Sequence, residues 1–165
     1  MFTSLICAVA IMATLKTSYG DEKIMAGFQT ENISILTRDG DRAPISKDEV
    51  ALLNRVVMSE AGGESVYAQE AVATVILNRW QNPEKYPETI REVIFEDGQF
   101  SLNDNGEPTV SVRVAVHNAI TYYNTEFMCL PYQVYYFRSG HYHDFGQPYC
   151  EISHLYFSLP DDVIL

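Results

Sequence analysis

Glu60 is the residue whose position most needs a chemical explanation. Val50, Leu53, Val57 and Glu60 recur at helical spacing, with Leu52 and Val56 widening the stripe, so a carboxylate projects from an apolar face. Gly62-Gly63 follows at once as a natural helix stop. The carboxylate therefore sits at the negative end of the helix macrodipole, and its apolar neighbours penalise the charged form again. Both effects raise its pKa, which is what a general acid working near neutral pH requires. The same position suits a glutamate that snorkels at a helix end or pairs with Arg79. By periodicity alone that plainer reading is ahead, because structural ion pairs also shift pKa values.

Other polar groups are less distinctive. Glu64 and Glu70 are the nearest further carboxylates. Glu64 lies beyond the helix-breaking glycines, and Glu70 reads as a solvated surface charge on the next helix. Gln99 and Ser101 flank Phe100 after a glycine turn, as rim hydrogen-bonding groups or simply as turn closers. Tyr135, Tyr136 and Phe137 alternate faces on a strand, with core packing the commoner fate of such rings. His141 and His143 point to one side of an extended segment, with Asp144 and His154 near in sequence. A zinc site wants three such ligands in closed geometry, and exposed loop histidines are the commoner case, so no metal or other cofactor is expected. His117 reads as a surface or satisfied core residue.

These groups need elements to position them. Ser46-Lys47-Asp48-Glu49 is a capping box and opens the helix that carries Glu60. A second helix spans Ser65 to Trp80, with Ala68, Ala71, Val72, Val75, Ile76 and Arg79 in phase, and Asn82-Pro83 ends it. Pro87 to Ile94 reads as a short helix opened by Pro87, followed by the turn-prone Glu96-Asp97-Gly98. Val110 to Tyr123 alternates like a strand, yet Val112, Val116, Ile120 and Tyr123 form a helical stripe, and its length favours helix. Val134 to Phe137 and Leu155 to Ser158 read as the strands of a hairpin, split by a loop bearing Gly and Pro. Helices first and strands last predict an α+β fold.

The 165 residues carry 22 acidic against 11 basic side chains, a net charge of −11 that makes a polyphosphate partner a poor fit and argues against nucleic acid. No apolar run reaches the ~18 residues that a membrane span requires. Residues 1–20 read as an export signal: Leu5 to Leu15 is apolar, and Ser18 and Gly20 suit the −3 and −1 positions of a cleavage site, although no basic residue precedes the run. Residues 21–45, polar and without a helical stripe, read as a tether, and residues 46–165 as the functional domain. Removing the signal leaves Cys129 and Cys150, which predicts a disulfide in an oxidising compartment.

Leu53-Asn54-Arg55-Val56-Val57-Met58-Ser59-Glu60-Ala61-Gly62-Gly63-Glu64 and then Gln69-Glu70-Ala71-Val72-Ala73-Thr74-Val75-Ile76-Leu77-Asn78-Arg79 resemble the SleB-type cell wall hydrolases, the spore cortex-lytic enzymes. Those proteins carry an E-A-x-G-E element and then a G-Q-x-A-V-A-x-V-I-L-N-R helix. Val93-Ile94-Phe95, Gln99-Phe100-Ser101, Tyr135-Tyr136-Phe137 and Tyr156-Phe157-Ser158 continue the likeness, which covers about residues 47 to 158. Ala68 replaces a Gly before the Gln, and the segment from Arg138 to Phe145 differs from the spore enzymes.

The resemblance implies a lysozyme-like, mainly helical domain ending in a small antiparallel sheet, and a muramidase or lytic transglycosylase activity on peptidoglycan glycan strands. It matches Glu60 to the catalytic glutamate and outweighs the plainer reading above. Under it, Glu64, Gln99, Ser101 and Tyr136 are the expected substrate-binding residues, without a metal or cofactor. The export signal places the protein outside the cell, secreted or at a cell wall of bacterial or phage origin, with no membrane span once the signal is cleaved, and a monomer is expected. A metal-dependent cell-wall amidase or peptidase using the His141/His143 segment, and a wall-binding module without catalysis, are the alternatives.

Overall fold

Helix α1 (Lys47–Ala61) starts where the capping box sets it. The Glu49 N–H donates to Ser46 Oγ at 3.2 Å, and the Ser46 N–H donates back to the Glu49 carboxylate at 2.9 Å; a side-chain cap contributes ~1 kcal/mol. Its buried face is Leu52, Leu53, Val56, Val57 and Ala61, so the stripe leading to Glu60 is real. The computed structural model describes residues 33–103 and 106–163. The expected export signal at 1–20 and the first part of the expected tether lie outside the described residues.

Helix α2 (Val66–Trp80), capped by Ser65, is the axis of the fold. Every residue from Ala68 to Arg79 is buried, as for a helix packed on all sides. Helix α3 (Ile90–Phe95) begins three residues later than the expected Pro87, because the Thr89 hydroxyl accepts from the Glu92 N–H at 3.1 Å and caps it there. Helix α4 (Val110–Tyr122) resolves the ambiguous valines as helix: Val112, Ala115, Val116, Ala119 and Ile120 form its buried stripe, packed against α2.

The end of the expected tether is part of the folded body. Strands β1 (Ile33–Leu36) and β2 (Arg42–Ile45) pair antiparallel, Ile33 opposite Ile45, and Ile35 and Ile45 enter the core. The missed signal was Asp39-Gly40, a hairpin turn whose Gly40 takes φ +87°. Arg38 and Asn124 bind this hairpin to the rest: Arg38 Nη2 donates to the Tyr135 hydroxyl at 3.0 Å, and Asn124 Nδ2 donates to the Thr37 carbonyl.

The C-terminal sheet has three strands rather than two. Strands β3 (Tyr136–Ser139), β4 (Gln147–Ile152) and β5 (Leu155–Leu159) lie in the order β3-β5-β4, all antiparallel. The expected pairing of the two aromatic runs is β3 with β5. Strand β4 was hidden inside the expected loop by Pro148, which a sheet accepts only at an edge, and β4 is an edge. The helices followed by a terminal antiparallel sheet make the fold α+β. No described helix is long and apolar enough to cross a membrane.

Candidate active site

Glu60 occupies the last turn of α1, half-buried, with no basic residue in that turn. Burial pushes its pKa above the ordinary carboxylate value, and a hydrogen bond donated by the Ser101 N–H to Oε1 partly offsets the rise. Among the described residues it has no ion-pair partner, so the pairing with Arg79 that the sequence left open does not form.

Two structures hold this carboxyl in place. The first is the turn after it. Gln69, 1% exposed, donates Nε2 to the carbonyls of Ala61, Gly62 and Glu64 at 3.1, 3.3 and 3.1 Å. One side-chain amide thus gathers three carbonyls of the helix end and the turn beyond it, of which Ala61 also accepts from the Glu64 N–H at 3.0 Å. Gly62 is required there by space, since a Cβ would lie 2.5 Å from the Met58 carbonyl oxygen and 2.9 Å from its sulfur. The second is the loop 99–103, reached through Gly98 at φ +73°. Its Ser101 N–H serves Glu60, and its Asn103 N–H donates to Ser59 Oγ at 3.0 Å. Ser101 therefore meets the site through its backbone, a role its side-chain type does not encode.

Gln99 is engaged by Arg79. The guanidinium, 4% exposed, donates Nη1 to Gln99 Oε1 at 2.7 Å and Nε to the Tyr135 carbonyl at 2.8 Å. Its carbon lies 5.0 Å from the Phe100 ring centroid, 5.4 Å from Tyr86 and 6.0 Å from Tyr136, a cage of π faces around a cation. Tyr136 also acts on Tyr86, whose pKa burial chiefly raises. The strand begins at Tyr136 rather than at the expected Val134: Tyr135, just before it, is buried, while Tyr136 stays part-exposed beside this cage. Asn78, next to Arg79, donates to the Pro131 and Val134 carbonyls at 2.9 and 3.0 Å and so ties down the segment leading into β3.

Glu64 takes a different direction. Its Oε2 lies 3.3 Å from His154 Nδ1 in the β4–β5 turn, and Ser65 Oγ meets Ser153 Oγ at 2.8 Å beside it. Glu70 is buried rather than solvated, with Oε2 3.3 Å from Asn118 Nδ2 of α4 and a pKa raised chiefly by burial. His143 Nε2 lies 3.1 Å from the Phe137 carbonyl and its ring stacks on Phe145 at 4.6 Å. Exposed His117 reaches Thr121 Oγ1 at 3.3 Å. Among the described residues no group of three or more His, Cys, Asp or Glu is arranged to hold a metal ion.

In this structure Cys129 and Cys150, the expected disulfide pair, are free thiols. Cys129 Sγ lies 3.1 Å from Thr74 Oγ1, a contact that occupies the sulfur. Burial pushes the Cys129 thiol up to about 12 and the Cys150 thiol up to about 11, which makes both poor nucleophiles.

Sequence reasoning missed Ser59 and Gln69 and gave Arg79 no role at Gln99. The available signal was the set of five buried polar residues, Gln69, Glu70, Thr74, Asn78 and Arg79, within a helix otherwise apolar enough to be central.

The family model for Cell Wall Hydrolase matches residues 63–152, a range that begins just after Glu60. The chain is 38% identical over 95 residues to the spore cortex-lytic enzyme of Oceanobacillus iheyensis, covering 49% of this chain and 34% of that protein. It is 38% identical over 79 residues to the spore cortex-lytic enzyme of Bacillus subtilis, covering 46% and 26%. The chain thus spans about a third or less of the length of these two curated relatives. Among solved structures, it is similar to the catalytic domain of the Bacillus cereus SleB protein, with TM-score 0.55, 25% identity, and coverage of 68% of this chain and 91% of that one. The catalytic domain of the germination-specific lytic transglycosylase SleB from Bacillus anthracis gives TM-score 0.56 and 25% identity, over 69% and 96%. The fold is the lysozyme-like α+β type of these domains.

Proposed function

Because this chain belongs to the cell wall hydrolase family, we propose that it cleaves the glycan strand of peptidoglycan, with Glu60 as the one general acid and base, in the manner of a lytic transglycosylase. The observation that carries this reading is the Glu60 carboxyl itself: half-buried, its pKa raised, one oxygen occupied by the Ser101 N–H. A carboxyl in that state holds a proton at a pH where an exposed glutamate has lost it.

In the proposed reaction Glu60 gives its proton to the glycosidic oxygen as the bond to the sugar carbon breaks. The resulting carboxylate then takes a proton from the muramyl residue's own hydroxyl, which attacks that carbon and closes an anhydro ring. Hydrolysis by two carboxylates would need a second acid ~5 Å away for retention or ~6.5–9.5 Å away for inversion. The two acids nearest in sequence each have a partner of their own, Glu64 with His154 and Glu70 with Asn118. That supports the single-glutamate route. The similarity to the Bacillus anthracis domain, a germination-specific lytic transglycosylase, supports it as well. Tyr136, part-exposed beside Phe100 and Tyr86, is the ring proposed to stack on a sugar. The place of action proposed is the cell wall, reached by export of a monomer whose signal is residues 1–20.

Mass spectrometry of muropeptides released from purified sacculi tests the reading. Products ending in anhydro-muramic acid, lighter by one water and resistant to borohydride, are expected. Exclusively reducible muramic ends would overturn the single-glutamate mechanism, and binding without release of fragments would overturn the activity.

A further inference from the structure

Arg79 is a buried cation without an acidic partner. Among the described residues no carboxylate lies within ion-pair distance of it. Glu96, Tyr86 and Tyr136 are the ionisable groups that act on it, through space. Burying an unpaired charge is costly, and burial depresses its pKa accordingly. Such a residue persists where its contacts do something that an apolar side chain would not. Its shortest contact is the charge-assisted bond to Gln99 Oε1 at 2.7 Å. Gln99 stands two residues before Ser101, and Phe100 between them lies against the guanidinium.

The loop 99–103 is therefore fastened at both ends. Arg79 holds it at Gln99, and Ser59 Oγ holds it at the Asn103 N–H. Between the two fastenings the Ser101 N–H is delivered to one oxygen of Glu60. Gly98, at positive φ, leaves the backbone just before Gln99 free to take other directions. The side-chain clamp supplies the constraint that this glycine does not.

We propose that Arg79 is a positioning residue for the reaction: through Gln99 it fixes the 99–103 loop so that the Ser101 N–H occupies Oε1 of Glu60 and Oε2 is left to carry the proton. The inference rests on the reading of Glu60 as the general acid. It gives Gln99 a different role from the one its rim position suggested, since its carbonyl oxygen faces the guanidinium.

The test uses the full chain with Gln99→Leu, Gln99→Glu and Arg79→Lys. Gln99 is exposed, so its replacement leaves the core intact. Gln99→Leu lowers kcat by roughly tenfold or more, as expected when a reacting group is misplaced by a fraction of an ångström, with KM little changed. Loss of the Ser101 hydrogen bond raises the proton affinity of Glu60, so the alkaline limb of the kcat–pH profile moves to higher pH. Gln99→Glu keeps an acceptor for the guanidinium and restores both kcat and the limb. Arg79→Lys, which lacks the fork needed to reach Gln99 and Tyr135 together, behaves like Gln99→Leu.

A substrate-free readout accompanies the kinetics: the Glu60 carboxyl carbon, followed by NMR titration, moves in the same direction in Gln99→Leu. A Gln99→Leu protein with native kcat, or with reduced kcat but native pH profile and Glu60 titration, overturns the proposal. Wild type that cuts no glycan overturns the functional reading instead, and the titration still decides whether Arg79 and Gln99 set the state of Glu60. If Arg79→Lys fails to fold, the two Gln99 variants decide alone.

Discussion

The backbone N–H of Ser101 donates to Oε1 of Glu60 across 41 residues of sequence, joining the end of α1 to the loop that follows α3. Burial drives the carboxyl toward its neutral form, and this one donor opposes it. The balance leaves a carboxyl that still titrates, with its two oxygens made unequal.

Glu60→Gln abolishes glycan release, with a loss of about 100-fold or more, because the amide is nearly isosteric yet carries no transferable proton. The rates on purified sacculi check it.

The same substitution changes stability in a pH-dependent way. The folded-state pKa of Glu60 is raised above its ordinary value of 4.5, so above that pH the native state binds more protons than the unfolded chain. Stability therefore falls as pH rises from 4.5 through the folded pKa and stays lower beyond it. Glu60→Gln removes that loss. The variant melts at a higher temperature than wild type at neutral pH, and the gap closes as pH falls below 4.5. Thermal melts of both proteins at several pH values measure it. A gap that widens on acidification would contradict the raised pKa.

Gln69→Leu keeps the volume of the buried side chain and removes the Nε2 donor shared by the Ala61, Gly62 and Glu64 carbonyls. Ala61 keeps the Glu64 N–H as a donor, and leaving the Gly62 and Glu64 carbonyls without theirs costs about 1–3 kcal/mol. Urea unfolding should show a loss in that range together with a fall in activity, since the turn that carries Glu60 loosens.

Adjacent glycines should respond differently. Gly62→Ala drives a Cβ to 2.5 Å from the Met58 carbonyl oxygen, forcing α1 to shift at its end, whereas a Cβ on Gly63 meets nothing within 4 Å. Gly62→Ala should destabilise by about 1–3 kcal/mol, as overpacking does, and lower activity. Gly63→Ala should stay within about 0.5 kcal/mol of wild type. Equal effects of the two substitutions would refute the steric assignment.

Cys129 should resist alkylation by iodoacetamide at pH 8 in the native protein and react on unfolding, because burial pushes its thiol up to about 12. Peptide mass spectrometry of the alkylated sites reads this directly. Rapid native-state labelling of Cys129 would show that the Thr74 contact and the burial are not maintained in solution.

The local signals of this protein were legible in its sequence. Ser46 and Glu49 name the start of α1 by their own hydrogen bonds, and the apolar phase through Leu53 and Val57 places Glu60 on its face. Both are matters of contacts within a turn or two. The aromatic runs of β3 and β5 announced a pairing because aromatic character is also a local signal. What depended on the rest of the molecule was less visible. Strand β4 forms because the edge of β5 is free to accept a segment that contains Pro148. Strand β1 is a strand because the core has room for Ile35. Glu70 is buried because α4 covers it and supplies Asn118. The hydrogen bond on Glu60 comes from a backbone N–H, a group every residue except proline possesses. Only the path of the chain through Arg79, Gln99 and Gly98 decides that Ser101 is the one to present it.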